Sequence, residues 1–158
     1  MFDTILGLPI HPLVVHGVVV LVPTAACAAI AVVVLRRFRD RLRYAALGLS
    51  TAALIGVWVA IQSGQELERR LQAGGIVAKQ ISRHQEAGTL LLWPTLALWA
   101  LTVALVVLHR RRASARVVSL VGFLTVVAGV TALAQVTLVG HTGATAVWSC
   151  TIGSELCK

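Results

Sequence analysis

The chain has 158 residues, of which 58% are hydrophobic and only 13% are charged, and its mean hydropathy is +0.87. This composition excludes an ordinary soluble domain and indicates transmembrane helices, and the length allows one compact domain over residues 1–158. The formal net charge of +8 lies in blocks between the apolar runs, which favours a membrane-topology signal over nucleic-acid binding.

Four apolar runs follow one another, each close to the ~20 residues that a helix needs to cross ~30 Å of hydrocarbon. They predict spans at about 12–35, 44–61, 87–108 and 117–139, with a polar tail over 140–158. The second span is expected to continue as a polar helix through residues 65–71 and to end at Gly74 and Gly75. The short connections predict an all-α fold, an antiparallel four-helix bundle. No internal repeat is evident.

The basic residues indicate the orientation of the chain. The loops after spans one and three contain nine arginines, at positions 36, 37, 39, 41, 43, 110, 111, 112 and 116. The loop between spans two and three and the tail together contain only five basic residues. The positive-inside rule therefore places the arginine-rich loops in the cytoplasm and both termini outside, as in a multi-pass protein of the bacterial inner membrane.

Four of the five histidines fall at the outer face in this topology. His11 and His16 begin span one, His84 begins span three and His141 follows span four, whereas His109 belongs to the basic inner block. Each alone is more often structural, but four from three helices indicate a binding site. Because spans one and three are diagonal in such a bundle, His16 and His84 are the first pair expected to hold a flat macrocycle. His11 and His141 are a second ligand pair or hydrogen-bond partners.

Several small and polar residues bear on packing. Gly88 lies four residues after His84 and leaves room for a ring or another helix. Close helix packing is the commoner role for Gly88 and for three other glycines, Gly56, Gly122 and Gly129. Cys27 is expected to be a small core residue, and Gln62 and Gln135 to join interhelical hydrogen bonds. Two tail residues, Cys150 and Cys157, lie on the oxidising side in this topology and are expected to form a disulfide, with a metal-binding thiol pair as the alternative.

Four motifs carry a resemblance to a known family. They are Leu8 to His16, Ser63-Gly64, His84 with Gly88, and Gly140 to Gly143. In these the chain resembles a bacterial family of four-helix membrane proteins of unknown function, over nearly its whole length. Relatives of that family occur joined to Rieske-type iron–sulfur domains. By analogy, the resemblance implies redox work near the outer face and a Rieske-type redox partner.

Haem b is the first functional hypothesis, because paired imidazoles in a helix bundle commonly hold it for electron transfer. Arg69, Arg70 or Arg83 would pair with the haem propionates. No Cys-x-x-Cys-His motif occurs in the sequence, so the haem would be non-covalent.

Two alternatives remain open from the sequence. The same four histidines (His11, His16, His84 and His141) suit copper or zinc, and Glu66 and Glu86 lie on the same side. The chain also has the size of a structural subunit of a respiratory or envelope complex, which would form homo- or hetero-oligomers in the bilayer. A hydrolase is not indicated, because neither Ser63 nor Ser149 has a nucleophile context.

Overall fold

The structure, a computed structural model, describes residues 4–5, 8–75 and 79–148. This part of the chain is almost entirely helical. Its helices are α1 (Ile10–Val34), α2 (Arg39–Ala73), α3 (Lys79–Leu90), α4 (Leu92–Arg110) and α5 (Ala115–Trp148). A short 3-10 turn, Arg36–Phe38, joins α1 to α2, and β1 (Thr4–Ile5) pairs with β2 (Leu8–Pro9) as a two-residue antiparallel ladder.

Four helical segments of the described chain are long and apolar enough to cross a membrane, at 10–34, 36–73, 79–110 and 115–148. This confirms the prediction of four long apolar helices. The third segment consists of α3 and α4, which are interrupted at Leu91. Pro94 explains the interruption, because a proline has no N–H for the preceding turn and its ring crowds the carbonyl group four residues earlier. In the apolar 18-residue window of each span, at most 33% is buried inside the chain, so most residues of these windows are not part of the chain's own core.

The helices extend further than the apolar runs. The polar extension of the second span is confirmed, because α2 continues to Ala73 and the chain then turns at Gly75, where φ is +80°. The tail expected from residue 140 begins later, because α5 continues to Trp148. Hydropathy shows where the apolar residues end, but a helix continues as long as its backbone hydrogen bonds do. The proposed disulfide between Cys150 and Cys157 lies outside the described residues.

The structure corrects the expectation that the chain has no internal repeat. Buried positions of α1 recur at the same spacing in the α3–α4 segment, and those of α2 recur in α5. The matched pairs are Val18 with Leu91, Val22 with Thr95, Ala25 with Leu98, Ala29 with Thr102 and Val32 with Leu105, then Ala46 with Thr125, Ser50 with Gly129, Ala53 with Ala132 and Val57 with Val136. Steps of three and four residues keep each set on one helix face.

The helix contacts follow the same repeat. Helix α1 packs against α2 and α5, and the α3–α4 segment packs against the same two helices, whereas α1 and α4 have only slight contact. The halves share buried positions more than residue types, since a valine in one half often matches a threonine or leucine in the other. A comparison of letters therefore does not reveal the repeat.

Three glycines allow the helices to approach closely, as expected. A Cβ atom added to Gly56 would lie 3.3 Å from Cγ2 of Val18, and one added to Gly122 would lie 3.1 Å from Cγ1 of Val33. At Gly129 the added Cβ would lie 3.1 Å from Cδ1 of Ile30. These distances are tighter than ordinary van der Waals contact. Because glycine has no side chain at these three positions, α1 can pack closely against α2 and α5.

Replacing Gly129 by valine is expected to lower the free energy of unfolding by about 1–3 kcal/mol, because the new side chain overpacks the contact with Ile30. The measurement is the unfolding midpoint in an SDS titration of mixed micelles. Gly48→Val is the matched control, since Gly48 is an exposed helical glycine and nothing lies within 4 Å of its added Cβ. Equal shifts in the two variants would show that helix propensity, not the α1–α5 contact, sets the effect.

Other sequence expectations are resolved by burial and hydrogen bonding. Cys27 is exposed and is not the core residue that was expected. It lies on the surface because the buried face of α1 runs through Ala25, Ala26 and Ala29. The interhelical hydrogen bond expected of Gln135 is confirmed, since its Nε2 donates to the carbonyl oxygen of Ala87 at 2.9 Å.

Candidate functional site

A cavity of about 270 Å³ opens among the helices at the end of the molecule that carries His11 and His84, here called the histidine end. All four spans contribute to its walls, and most of the lining is apolar. The main apolar contributors are Val15, Val18, Val57, Leu91, Val136 and Val139. The imidazole rings of His11 and His84 also line the cavity, so a ligand bound there would contact both an apolar wall and two histidine side chains.

His11 and His84, one from each half of the chain, lie next to each other at this cavity. Their ring centroids are 6.1 Å apart, and the ring planes are inclined by 71°. The two residues are equivalent in the repeat, because each lies seven residues before a matched buried position, Val18 in one half and Leu91 in the other. One histidine from each half of the chain thus forms a facing pair.

Each imidazole lies against a glycine of its own half. A Cβ atom added to Gly64 would lie 2.9 Å from Cε1 of His11, and one added to Gly143 would lie 2.9 Å from Cε1 of His84. The distances to Nδ1, 3.2 Å, and to Nε2, 3.6 Å, are also the same at both glycines. Because real Cβ atoms do not approach this closely, glycine is required where each ring is seated.

The Nδ1 atoms of both rings are held by the neighbouring helix. His11 Nδ1 lies 3.1 Å from the carbonyl oxygen of Ala60 and 3.2 Å from Oγ of Ser63. His84 Nδ1 lies 3.3 Å from Oγ1 of Thr142. The Ser63 hydroxyl donates to the same Ala60 carbonyl, and the Thr142 hydroxyl donates to the backbone of its own helix.

These contacts favour one tautomer in both rings. A hydroxyl that already donates its proton to a carbonyl group accepts a hydrogen bond from its other neighbour, so Nδ1 carries the proton and donates. Nε2 then keeps its lone pair, and this is the nitrogen that a metal or haem iron would bind. The site therefore presents two oriented imidazoles with Nε2 in the form that binds a metal.

The structure separates the predicted site residues into two groups. His11 and His84 come together, and Gly88 lines the same cavity with nothing within 4 Å of an added Cβ. His16 is exposed, and its Nδ1 contacts the carbonyl oxygen of Pro12 in the same helix. His141 and Arg83 are also exposed. The sequence predicted that His84 would pair with His16, whereas the structure places His84 beside His11.

Within the described residues, no group of three or more histidine, cysteine, aspartate or glutamate side chains is placed to hold a metal ion. His11, His16, His84 and His141 therefore do not surround a single ion in this structure. The arrangement offers two imidazole nitrogens, and a group bound between them must bring or recruit its remaining ligands.

The sequence analysis named Ser63-Gly64 and Gly140 to Gly143 as motifs, but it did not predict that Ser63, Gly64, Thr142 and Gly143 seat the two rings. A signal for them exists in the sequence. In each half, the first helical segment carries a histidine in its first two turns, and the second carries a hydroxyl residue followed by glycine in its later part. This pairing of His11 with Ser63-Gly64 and of His84 with Thr142-Gly143 is the repeat in its most recognisable form.

Residues 7–156 match the family model described as "Predicted membrane protein (DUF2231)". The match covers nearly the whole chain, so the chain belongs to this family of membrane proteins, whose function is unknown. No curated protein and no solved structure matches the chain.

Proposed function

We propose that this member of the family spans the bacterial inner membrane as an antiparallel four-helix bundle with both termini outside, and that it holds haem b non-covalently between His11 and His84 for membrane electron transfer. The observation that carries the proposal is the facing pair of imidazoles, 6.1 Å apart, in an apolar cavity. The other histidines, His16 and His141, have no part in ligation.

The separation of the rings supports a single metal atom between them. Two imidazoles on opposite sides of one metal ion, each with its nitrogen about 2 Å from the metal, have ring centroids roughly 6 Å apart. A quinone or another flat molecule hydrogen-bonded edge-on between the rings would need a clearly larger gap. The observed 6.1 Å between the ring centroids of His11 and His84 is compatible with one metal atom bound between two ring nitrogens.

Haem fits this pair better than a bare ion does. The porphyrin supplies four nitrogen ligands, so two axial imidazoles complete the coordination of the iron. Copper or zinc would need additional donors, and the described residues provide no third metal-ligating side chain beside the pair. The valine-rich and leucine-rich lining suits a flat hydrophobic macrocycle.

The contacts of α1 support the antiparallel arrangement. Along α1, Val18 faces Gly56 of α2, whereas His11, earlier in the chain, faces the later Gly64. Against α5, Ile30 faces Gly129 and Val33 faces Gly122 in the same reversed order. The nine arginines at the end opposite the histidine cavity support an outward-facing site.

The ligation also supports electron transfer over catalysis. A haem held by both His11 and His84 would have no position left for a substrate or for oxygen, so it would supply electron transfer. The proposal includes an external redox partner, and a Rieske-type protein is the class that the family resemblance implies.

The test is the visible spectrum of the protein, purified in mild detergent from cells supplied with a haem precursor. We expect a Soret band that shifts after dithionite, a sharp α band in the reduced form and one haem per chain by pyridine haemochrome assay. A colourless protein contradicts the proposal. One equivalent of copper or zinc in that colourless protein would instead establish the metal-binding alternative.

A further inference from the structure

A second cluster of interacting side chains lies at the opposite end of the molecule, here called the arginine end because it carries residues 36–43 and 110–116. Two guanidinium groups share the ring of Tyr44. Cζ of Arg43 is 4.9 Å from the ring centroid, and Cζ of Arg110 is 5.6 Å from it. Arg110 Nε also donates to the Tyr44 hydroxyl at 3.1 Å. Two guanidinium groups, one from α2 and one from α4, thus lie against the same aromatic ring.

The positive charge at this place is only partly balanced. Arg43 Nη1 is paired with Oδ1 of Asp40 at 3.2 Å, but the Asp40 side chain is 86% exposed. An ion pair with such an exposed partner contributes little. Asp40 is also the one acidic residue among positions 36–43 and 110–116 of the sequence. Two like charges on one ring therefore favour an additional anion beside them.

Unpaired buried atoms provide an independent observation at the same end. Among the described side chains, the buried polar atoms without a hydrogen-bond partner are Arg43 Nε and His109 Nε2. His109 Nδ1 contacts the carbonyl oxygen of Leu105 at 2.6 Å, so its Nε2 remains an acceptor. A buried donor without a partner costs free energy, and an oxygen of a bound group would remove that cost at Arg43.

We propose that Arg43, Arg110 and Tyr44 bind a phosphate group, namely that of an anionic membrane lipid. Guanidinium groups match phosphate oxygens with paired, charge-assisted hydrogen bonds, and the tyrosine ring fixes the orientation of both. Tyr44 is 45% exposed and stands at the start of the second span, where an interfacial aromatic residue meets lipid headgroups. The site does not depend on what the histidine cavity binds.

The test compares lipids in neutral detergent micelles by native mass spectrometry. We expect one dioleoyl-phosphatidylglycerol per chain to bind roughly 10-fold or more tightly than dioleoyl-phosphatidylcholine, whose choline group the arginines repel. The double variant Arg43→Gln with Arg110→Gln should lose that preference. The control Arg41→Gln with Arg116→Gln removes the same charge from exposed positions at the same end and should change the affinity by less than about twofold.

The outcomes separate the possible sources of the anion. Displacement of the lipid by inorganic phosphate, with phosphate binding lost in the Arg43 and Arg110 variant, would assign the same site to free phosphate. Equal losses in both double variants would overturn the proposal in favour of bulk charge, and so would equal affinity for the two lipids. Arg110→Gln alone, at an exposed residue, keeps the test valid if the double variant loses its helical circular dichroism.

Discussion

Replacing either His11 or His84 by alanine is expected to abolish haem binding, whereas His16→Ala and His141→Ala retain it. Each of the first two substitutions removes one of the two imidazoles that face each other at 6.1 Å. Changes behind a metal ligand already cost about 10- to 100-fold in affinity, so loss of the ligand itself should cost at least that much. The measurement is the haem-to-protein ratio after purification, together with haem titration of the apoprotein.

His16→Ala is the matched control for His11→Ala, because it removes the same side chain from the same helix at an exposed position. Added imidazole should restore the low-spin spectrum in His11→Ala if that residue is a ligand, because the small molecule refills the place of the lost ring. A structural histidine would not be replaced in this way. Loss of haem in His16→Ala, with His11→Ala unaffected, would contradict the assignment and return the ligand to the position that the sequence favoured.

The number of spans could be predicted because the membrane imposes a strong constraint. Every backbone polar group in hydrocarbon must be bonded within its segment, so long apolar runs become helices. The run predicted over about 12–35 corresponds to α1 at Ile10–Val34. Hydropathy carried no information on the helical residues beyond the apolar surface, which is why the last turns of α5, with Thr142 and Gly143, were assigned to a tail.

The position of a histidine along α1 does not show whether His11 or His16 points toward His84, because that depends on the face of the helix. His11 lies seven residues before the buried Val18, almost two full turns of about 3.6 residues, and so shares its face. His16 lies two residues before Val18, on the opposite side of the helix. Because α1 is apolar on every side, its sequence shows no periodicity from which to read that phase. For the same reason, the sequence analysis wrongly predicted that Cys27, which is exposed, would be a core residue.

The repeat shows what information was present but not recognised. Ser63-Gly64 and Thr142-Gly143 were visible as motifs, yet their common purpose depends on where each glycine meets a ring. The equivalence of the two halves also explains why one histidine from each, and not two from one helix, forms the pair. A site between two equivalent halves receives similar contributions from both, and this suits a group that can accept one ligand on each side.

Replacing Gly64 or Gly143 by alanine is expected to weaken haem binding by about 10- to 100-fold, and by nearly equal amounts at the two positions. The new Cβ would lie 2.9 Å from Cε1 of His11 or of His84, so the ring must move away from its seat. That displacement disturbs the Nδ1 contact and the 6.1 Å separation together. Haem titration of the apoprotein gives the affinity, and the reduced spectrum shows whether both axial ligands remain.

Gly140→Ala is the matched control, because Gly140 lies in the same helix as Gly143 and nothing is within 4 Å of its added Cβ. It should leave the affinity within about twofold of the parent protein, which separates contact with the ring from helix propensity. A loss at Gly64 without one at Gly143 would mean that only His11 is a ligand and that the structural symmetry does not extend to binding. Comparable losses at both glycines, with Gly140→Ala unchanged, require each half of the chain to seat one ligand of the same group.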